Sequence, residues 1–168
     1  MNVKKRSAVF IIFASVILLM FYSCDPGKKY EKEEAAAIQD YLSINSNLNF
    51  VLKPSGLYYL EVEEGTGPQP ITSDTAWVKY TGKFLDGRVF DTNVGTTDSL
   101  GFPVYEGWLI YGFDEGILYM KEGGKATLLI PSSLAYGSAG KSIIPGYTPL
   151  LFDIELLHVI PGPGPAVK

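Results

Sequence analysis

Eighteen glycines and eleven prolines among 168 residues cut this chain into short pieces, and that punctuation constrains its fold more than any other feature. Gly supplies turn conformations, and Pro stops helices and interior strands. The elements between them must be short and joined by turns, which points to a β-rich fold. With 46% hydrophobic and 13% aromatic residues, the pieces carry enough apolar surface for a real core. The length allows one ordinary domain with appendages.

Residues 1–23 stand outside that pattern. Lys4, Lys5 and Arg6 make a basic start, residues 8–23 carry no charge, and the sole cysteine, Cys24, follows. This resembles a bacterial lipoprotein signal, with Phe21-Tyr22-Ser23-Cys24 as the lipobox, so Cys24 is the expected lipidation site and mature N-terminus. The alternative is an uncleaved membrane anchor, but the apolar run falls short of the ~20 residues that a spanning helix needs. One cysteine cannot form an intrachain disulfide. Cleavage would remove three positive charges and no acid, taking the formal net charge from −4 to −7. An acidic body without a basic stripe argues against nucleic-acid binding. Membrane attachment would come from acyl chains, two or more being needed for firm anchoring. The expected location is the bacterial cell envelope.

Residues 24–55 read as a tether and helical spacer. Residues 25–32 are polar and contain the Pro26-Gly27 breaker, while residues 33–43 carry Ala35, Ile38, Tyr41 and Leu42 on one narrow stripe. That stripe suits either a plain spacer or a homodimerisation helix. The main domain is expected over residues 56–160. "GLYYLEVEEG" reads as a strand, and "TAWVKYTGKFL" with "RVFDTN" as a hairpin turning at Asp86-Gly87. Residues 94–101 read as a loop and residues 110–120 as a short helix. Gly112 and Gly116 weaken that helix, so packing must hold it. "KATLLI" and "LLFDIELLHVI" are the last strands, separated by a long loop over residues 132–149. Residues 161–168 form a Pro-Gly tail. An antiparallel sheet with a single helix makes the fold class α+β.

Several chemistries are excluded. "AYGSAGKS" nearly spells a phosphate-binding loop, but Pro145 and Pro149 prevent the helix whose amides would face the phosphate. "GTGPQP" has Pro where a dinucleotide fold needs a helix. His158 is the only histidine, without a second His or a free Cys to complete a metal site, so no metal and no cofactor are expected. A Ser-His-Asp triad would need His158 too, and no "GxSxG" elbow exists.

Four blocks carry the positive signal: "VKYTGKFLDGRVFDTN", "LIYGFDEGILYMKEGGKATLLIP", "LAYG" and "IIPGYTPLLFDIELL". In content, order and spacing they resemble the FKBP-type peptidyl-prolyl cis-trans isomerases, over about residues 56–159. The resemblance implies an antiparallel half-barrel sheet wrapped around one short helix, with an apolar pocket between them. It implies that Tyr80, Phe90 and Phe152 wall the pocket, with Leu109 and Ile110 on one lip and Asp91 at the edge. Ala135, Tyr136, Ile143 and Ile144 would come from the long loop, and Phe113 stands where the family often has Trp as the floor. The Ile110 amide and Tyr136 hydroxyl would donate to substrate carbonyls. Either Leu100 or Phe102 would complete the wall. Lys141 stands where a His is often found, in a loop one residue shorter than in common members.

What the resemblance implies for function is rotation about Xaa–Pro bonds of proline-containing polypeptides, with macrolides such as rapamycin as competitors. An apolar lip favours a large apolar residue before the proline. The other class is a binding module of the same fold that holds prolyl segments without turnover. Asp91 keeps two readings: a turn residue capping amides of "DTN", or a rim carboxylate held near the Tyr80 hydroxyl.

Overall fold

Residues 26–32, part of the polar segment before the expected spacer, are themselves helical. In the computed structural model, which describes residues 26–163, helix α1 spans Pro26–Ile44. The signal over residues 1–23, Cys24 and the last residues of the tail lie outside the described residues. Pro26-Gly27 does not break the chain as its composition suggests. Pro26 opens the helix, where its missing N–H would have had no helical partner. The helix is docked on the domain. Ile38, 5% exposed, packs with Leu129 and Leu151, and Tyr41 and Leu42 flank them. The Glu34 carboxylate accepts the Ser132 N–H at 2.5 Å and the Ser132 hydroxyl at 2.7 Å. Tyr30 stacks on Tyr147 with ring centroids 5.4 Å apart. Most of the stripe expected to serve a free spacer or a partner helix thus faces the chain's own sheet, and only its Ala35 is exposed.

The sheet contains β1 (Val51–Leu52), β2 (Tyr58–Glu63), β3 (Thr75–Phe84), β4 (Val89–Thr92), β5 (Leu100–Pro103), β6 (Lys125–Ile130) and β7 (Leu150–Ile160). All pairings are antiparallel, in the order β1-β2-β6-β7-β3-β4, with β5 also paired to β3. Helix α2 (Tyr111–Leu118) lies in the concave side, completing the α+β half-barrel. Two strands differ from expectation. β1 falls in the region read as tether, and β5 begins inside the stretch read as loop. Gly101 and Pro103 hide β5 from propensity. Gly101 is needed because a Cβ there would meet the Trp77 ring at 2.8 Å, and Pro is tolerated on such an outer strand.

One edge of β3 serves two partners. Residues 75–78 pair with β5 and residues 81–83 with β4. The Asn93 side chain fills the gap: its oxygen accepts the Tyr80 N–H at 2.8 Å, and its nitrogen donates to Val78 O at 3.1 Å. The amide thereby satisfies backbone groups that no strand reaches. Lys79 Nζ donates to the carbonyls of Asn93, Thr96 and Asp98 at 3.3, 2.9 and 2.5 Å, tying down the connecting loop.

The glycines of α2 are explained by the sheet beneath them. A Cβ on Gly112 would lie 2.5 Å from Ile130 Cγ2, and one on Gly116 would lie 2.7 Å from Leu128 Cδ2. Gly-for-Ala costs a helix about 1 kcal/mol, and close approach to a fully buried Leu128 offsets that cost. Gly116→Ala should therefore destabilise the protein despite better helix propensity. Overpacking costs about 1–3 kcal/mol, so a lower urea midpoint is expected; a higher midpoint would show that the helix does not need this contact.

Candidate active site

Between α2 and the sheet lies a cavity of about 390 Å³, within the ~300–1,000 Å³ range of ligand pockets. Its walls are aromatic because adjacent elements each deliver one ring. β7 places Phe152, β4 places Phe90, β3 places Tyr80 and α2 places Phe113. Phe113 meets Phe152 edge-on at 5.2 Å and Tyr80 at 6.0 Å, while Phe90 meets Phe152 at 5.6 Å. Edge-to-face pairs at these separations are favourable beyond simple burial. The rings are therefore held in place by one another.

Ile110 is the N-cap of α2, with extended φ −65° and ψ 144°. Its carbonyl accepts the Phe113 and Asp114 N–H groups. Its own N–H belongs to the group of helix-start amides that no carbonyl of the helix can accept. Asp91 answers the question of its side chain directly. The Tyr80 hydroxyl donates to Asp91 Oδ2 at 2.7 Å. The turn that follows is held by other side chains: Val94 N–H donates to Thr92 Oγ1 at 3.1 Å, and Asn93 bridges to β3. Burial, and then the hydrogen bond to Asp91, push the Tyr80 phenol up to about 12. Burial and the Asp91 charge raise Tyr136 as well. Both phenols keep their protons at neutral pH, and Tyr80 donates its own to Asp91. Lys141 Nζ lies 5.3 Å from the Tyr136 ring centroid, a cation–π distance.

The pocket brings together Tyr80, Phe90, Asp91, Leu109, Ile110, Phe113, Ala135, Tyr136 and Phe152. Two residues expected there are elsewhere. Ile143 is 67% exposed and faces a neighbouring groove, and Ile144 is buried in the core without lining the cavity. The cause is a tight turn. Lys141 and Ile144 exchange backbone hydrogen bonds of 2.9 Å, and Ser142 adopts a φ of 54°. That reversal presents Lys141 to the pocket and turns Ile143 away from it. Of the two open wall candidates, Leu100 lines the pocket, while Phe102 lies behind it, 5.8 Å from Phe113. Sequence reasoning missed Trp108 and Tyr111 as lining residues. Their position beside Leu109-Ile110 was the available signal.

A family model described as FKBP-type peptidyl-prolyl cis-trans isomerase matches residues 67–157. The chain is 45% identical over 109 residues to the FKBP-type peptidyl-prolyl cis-trans isomerase FkpA of Escherichia coli K12, covering 65% of this chain and 40% of that protein. It is 38% identical over 140 residues to Outer membrane protein MIP of Legionella longbeachae, covering 82% and 58%. The crystal structure of FkpA from Escherichia coli is similar with a TM-score of 0.71 and 32% identity, over 97% of this chain and 75% of that one. The chain spans less than two thirds of the length of these curated relatives.

Burial of Tyr80, with its hydrogen bond to Asp91, sets a pH dependence. A phenol whose folded-state pKa is raised to about 12 from its ordinary value of 10.0 adds stability that is fully present below pH 10.0 and is lost as pH rises through about 12. Removing the Asp91 charge should lower the Tyr80 pKa, since burial and the smaller effect of Tyr136 then remain. Ultraviolet difference absorbance should show Tyr80 of Asp91→Asn ionising at lower pH than in the wild type, with Tyr80→Phe identifying the signal. An unchanged or higher pKa would mean that the carboxylate does not hold the phenol in solution.

Proposed function

The chain belongs to the FKBP-type peptidyl-prolyl cis-trans isomerase family, and on that premise we propose that it catalyses rotation about Xaa–Pro bonds in proline-containing polypeptides. The observation that carries this reading is the aromatic cavity of Tyr80, Phe90, Phe113 and Phe152, with the Asp91–Tyr80 pair at its rim.

An Xaa–Pro bond turns slowly because resonance gives its C–N bond double-bond character, with a barrier near ~18–20 kcal/mol. That resonance puts partial negative charge on the carbonyl oxygen, and water stabilises it. An apolar aromatic cavity stabilises the charge-separated planar amide less than the twisted one, so rotation becomes easier inside. The Asp91 carboxylate works in the same direction, since its field disfavours negative charge on a nearby oxygen. The Ile110 amide and Tyr136 hydroxyl would anchor flanking substrate carbonyls, so binding energy is spent on holding the twisted form. No proton has to reach a protein base. The Trp108–Ile110 lip is apolar, which favours a large apolar residue before the proline, and a macrolide such as rapamycin should compete for the cavity.

The setting belongs to the same proposal. The basic start, the apolar run and Cys24 support a lipid-anchored protein of the bacterial envelope, and one relative carries the name outer membrane protein. Mass spectrometry finding Cys24 as an unmodified thiol would remove the anchor.

Asp91→Leu tests the site. A hydrogen bond to a charged group contributes ~1.5–3 kcal/mol, and its loss from the transition state costs about one to two decades in rate. Isomerisation of an Xaa–Pro tetrapeptide should fall by that amount in Asp91→Leu and by less in Asp91→Asn, well beyond any loss of stability seen in thermal unfolding of the two variants. A wild-type rate in a well-folded Asp91→Leu would leave the carboxylate with no catalytic part.

A further inference from the structure

Helix α1, the β3–β4 hairpin and the long loop close a second concavity of about 430 Å³ beside the pocket. Ala37 of α1 forms one bank, Phe84 and Leu85 of the hairpin another, and Ile143, Pro145 and Pro149 of the loop the third. The groove exists because α1 is docked: Ile38 is buried against the sheet, so its neighbour Ala37 is carried to the groove's edge. Ile143, at 67% exposure, is a large apolar side chain left in water at the tip of the turn.

The groove is continuous with the pocket along two elements. Phe84 in the groove packs on Phe90 in the pocket with ring centroids 5.2 Å apart. The turn at Ser142 presents Lys141 to the pocket and Ile143 to the groove. We propose that this groove is a second polypeptide-binding site, occupied by an extended apolar stretch of the same client whose proline lies in the pocket. The proposal rests on the isomerase reading above.

Spacing and chemistry both identify that occupant. An extended residue advances ~3.3 Å, so a chain leaving the pocket over Phe90 reaches Phe84 within about two residues. The lining charges Asp86 and Arg88 pair with each other at 2.7 Å. Both stay exposed and the Arg88 guanidinium lies 4.9 Å over the Phe84 ring, so the apolar trough is formed by Leu85, Ile143, Pro145 and Pro149, which reward Leu, Ile or Phe side chains. An unfolded client offers such apolar stretches near its prolines; a tetrapeptide goes no further than the Phe84 edge of the groove, whereas a longer chain runs on to Ile143 and Ala37. The second site would therefore raise affinity for long, unfolded substrates without touching the rotating bond.

The full chain tests this with two proline peptides, a tetrapeptide and the same sequence extended by apolar residues at both ends. Ala37 is exposed on α1 and takes no part in the pocket, so Ala37→Glu and Ala37→Lys place a bulky charge in the groove alone. In the wild type the extension should raise kcat/KM about tenfold, the equivalent of ~1.4 kcal/mol. Both variants should lose that gain through KM, with tetrapeptide turnover unchanged. A gain that survives in both variants overturns the proposal. Binding of a fluorescent alternating Leu/Gln peptide without proline gives a readout independent of turnover. It should bind the wild type and bind each variant about tenfold more weakly; equal binding overturns the groove. If the wild type fails to turn over the tetrapeptide, the isomerase reading falls, and this binding result alone decides the groove. Sedimentation showing that the variants abolish a dimer would give the groove to a second copy, which also overturns the proposal.

Discussion

The site depends on a close approach at Gly82. In the β3–β7 register Gly82 stands opposite Phe152, and in the β3–β4 register it stands opposite Asp91. A Cβ on Gly82 would lie 2.6 Å from Phe90 Cζ and 3.0 Å from Phe152 Cε1. The missing side chain is what lets those two rings meet over the strand at 5.6 Å. Phe152 then contacts Phe113, which α2 raises from the opposite side at 5.2 Å. The cavity is thus a consequence of one residue without a side chain and of four elements that each bring a ring to it. α2 reaches its own position by the same device, with Gly112 and Gly116 against Ile130 and Leu128.

Around that cradle, polar groups fix what the rings cannot. Lys79 and Asn93 close the unpaired part of the β3 edge, which holds β4 against β3 and keeps the Asp91 carboxylate within reach of the Tyr80 hydroxyl. The phenol is then both a wall of the cavity and the anchor of the carboxylate. Lys83 and Asp153 pair on the outer face, where Thr127 also donates to Asp153 at 2.8 Å. These bonds lie on the other side of the sheet, where they support it without entering the chemistry.

Much of this was legible in the sequence, and the exceptions have physical causes. The alternation around Tyr80 placed the hairpin, and the Ile110–Met120 spacing placed α2, because burial on one face leaves a periodic trace. For Asp91 the sequence left two readings, a turn cap and a rim carboxylate near the Tyr80 hydroxyl, and the hydrogen bond observed matches the second. β5 left no such trace, since Gly101 is dictated by the Trp77 ring. Pro26 reads equally as breaker and as helix opener until the helix is seen. Ile143 and Ile144 could not be placed because a positive φ at Ser142 redirects the side chains that follow it. Trp108, 70% exposed, sits in a loop without periodicity, so its position beside Leu109-Ile110 was the one hint that it lines the pocket.

The central claim is that the aromatic cradle itself, set by the contact at Gly82, makes the rotation of a prolyl bond easy. Gly82→Ala tests it most directly, because it adds one methyl group under Phe90 and Phe152 and removes no polar atom. The measurement is kcat/KM for an Xaa–Pro tetrapeptide, with a urea unfolding curve on the same sample. Overpacking should cost about 1–3 kcal/mol of stability, which a domain with ~5–15 kcal/mol tolerates while staying folded. The account predicts a folded protein whose isomerisation falls about tenfold or more, a loss of at least ~1.4 kcal/mol in transition-state stabilisation. A folded Gly82→Ala protein that isomerises at the wild-type rate would contradict it.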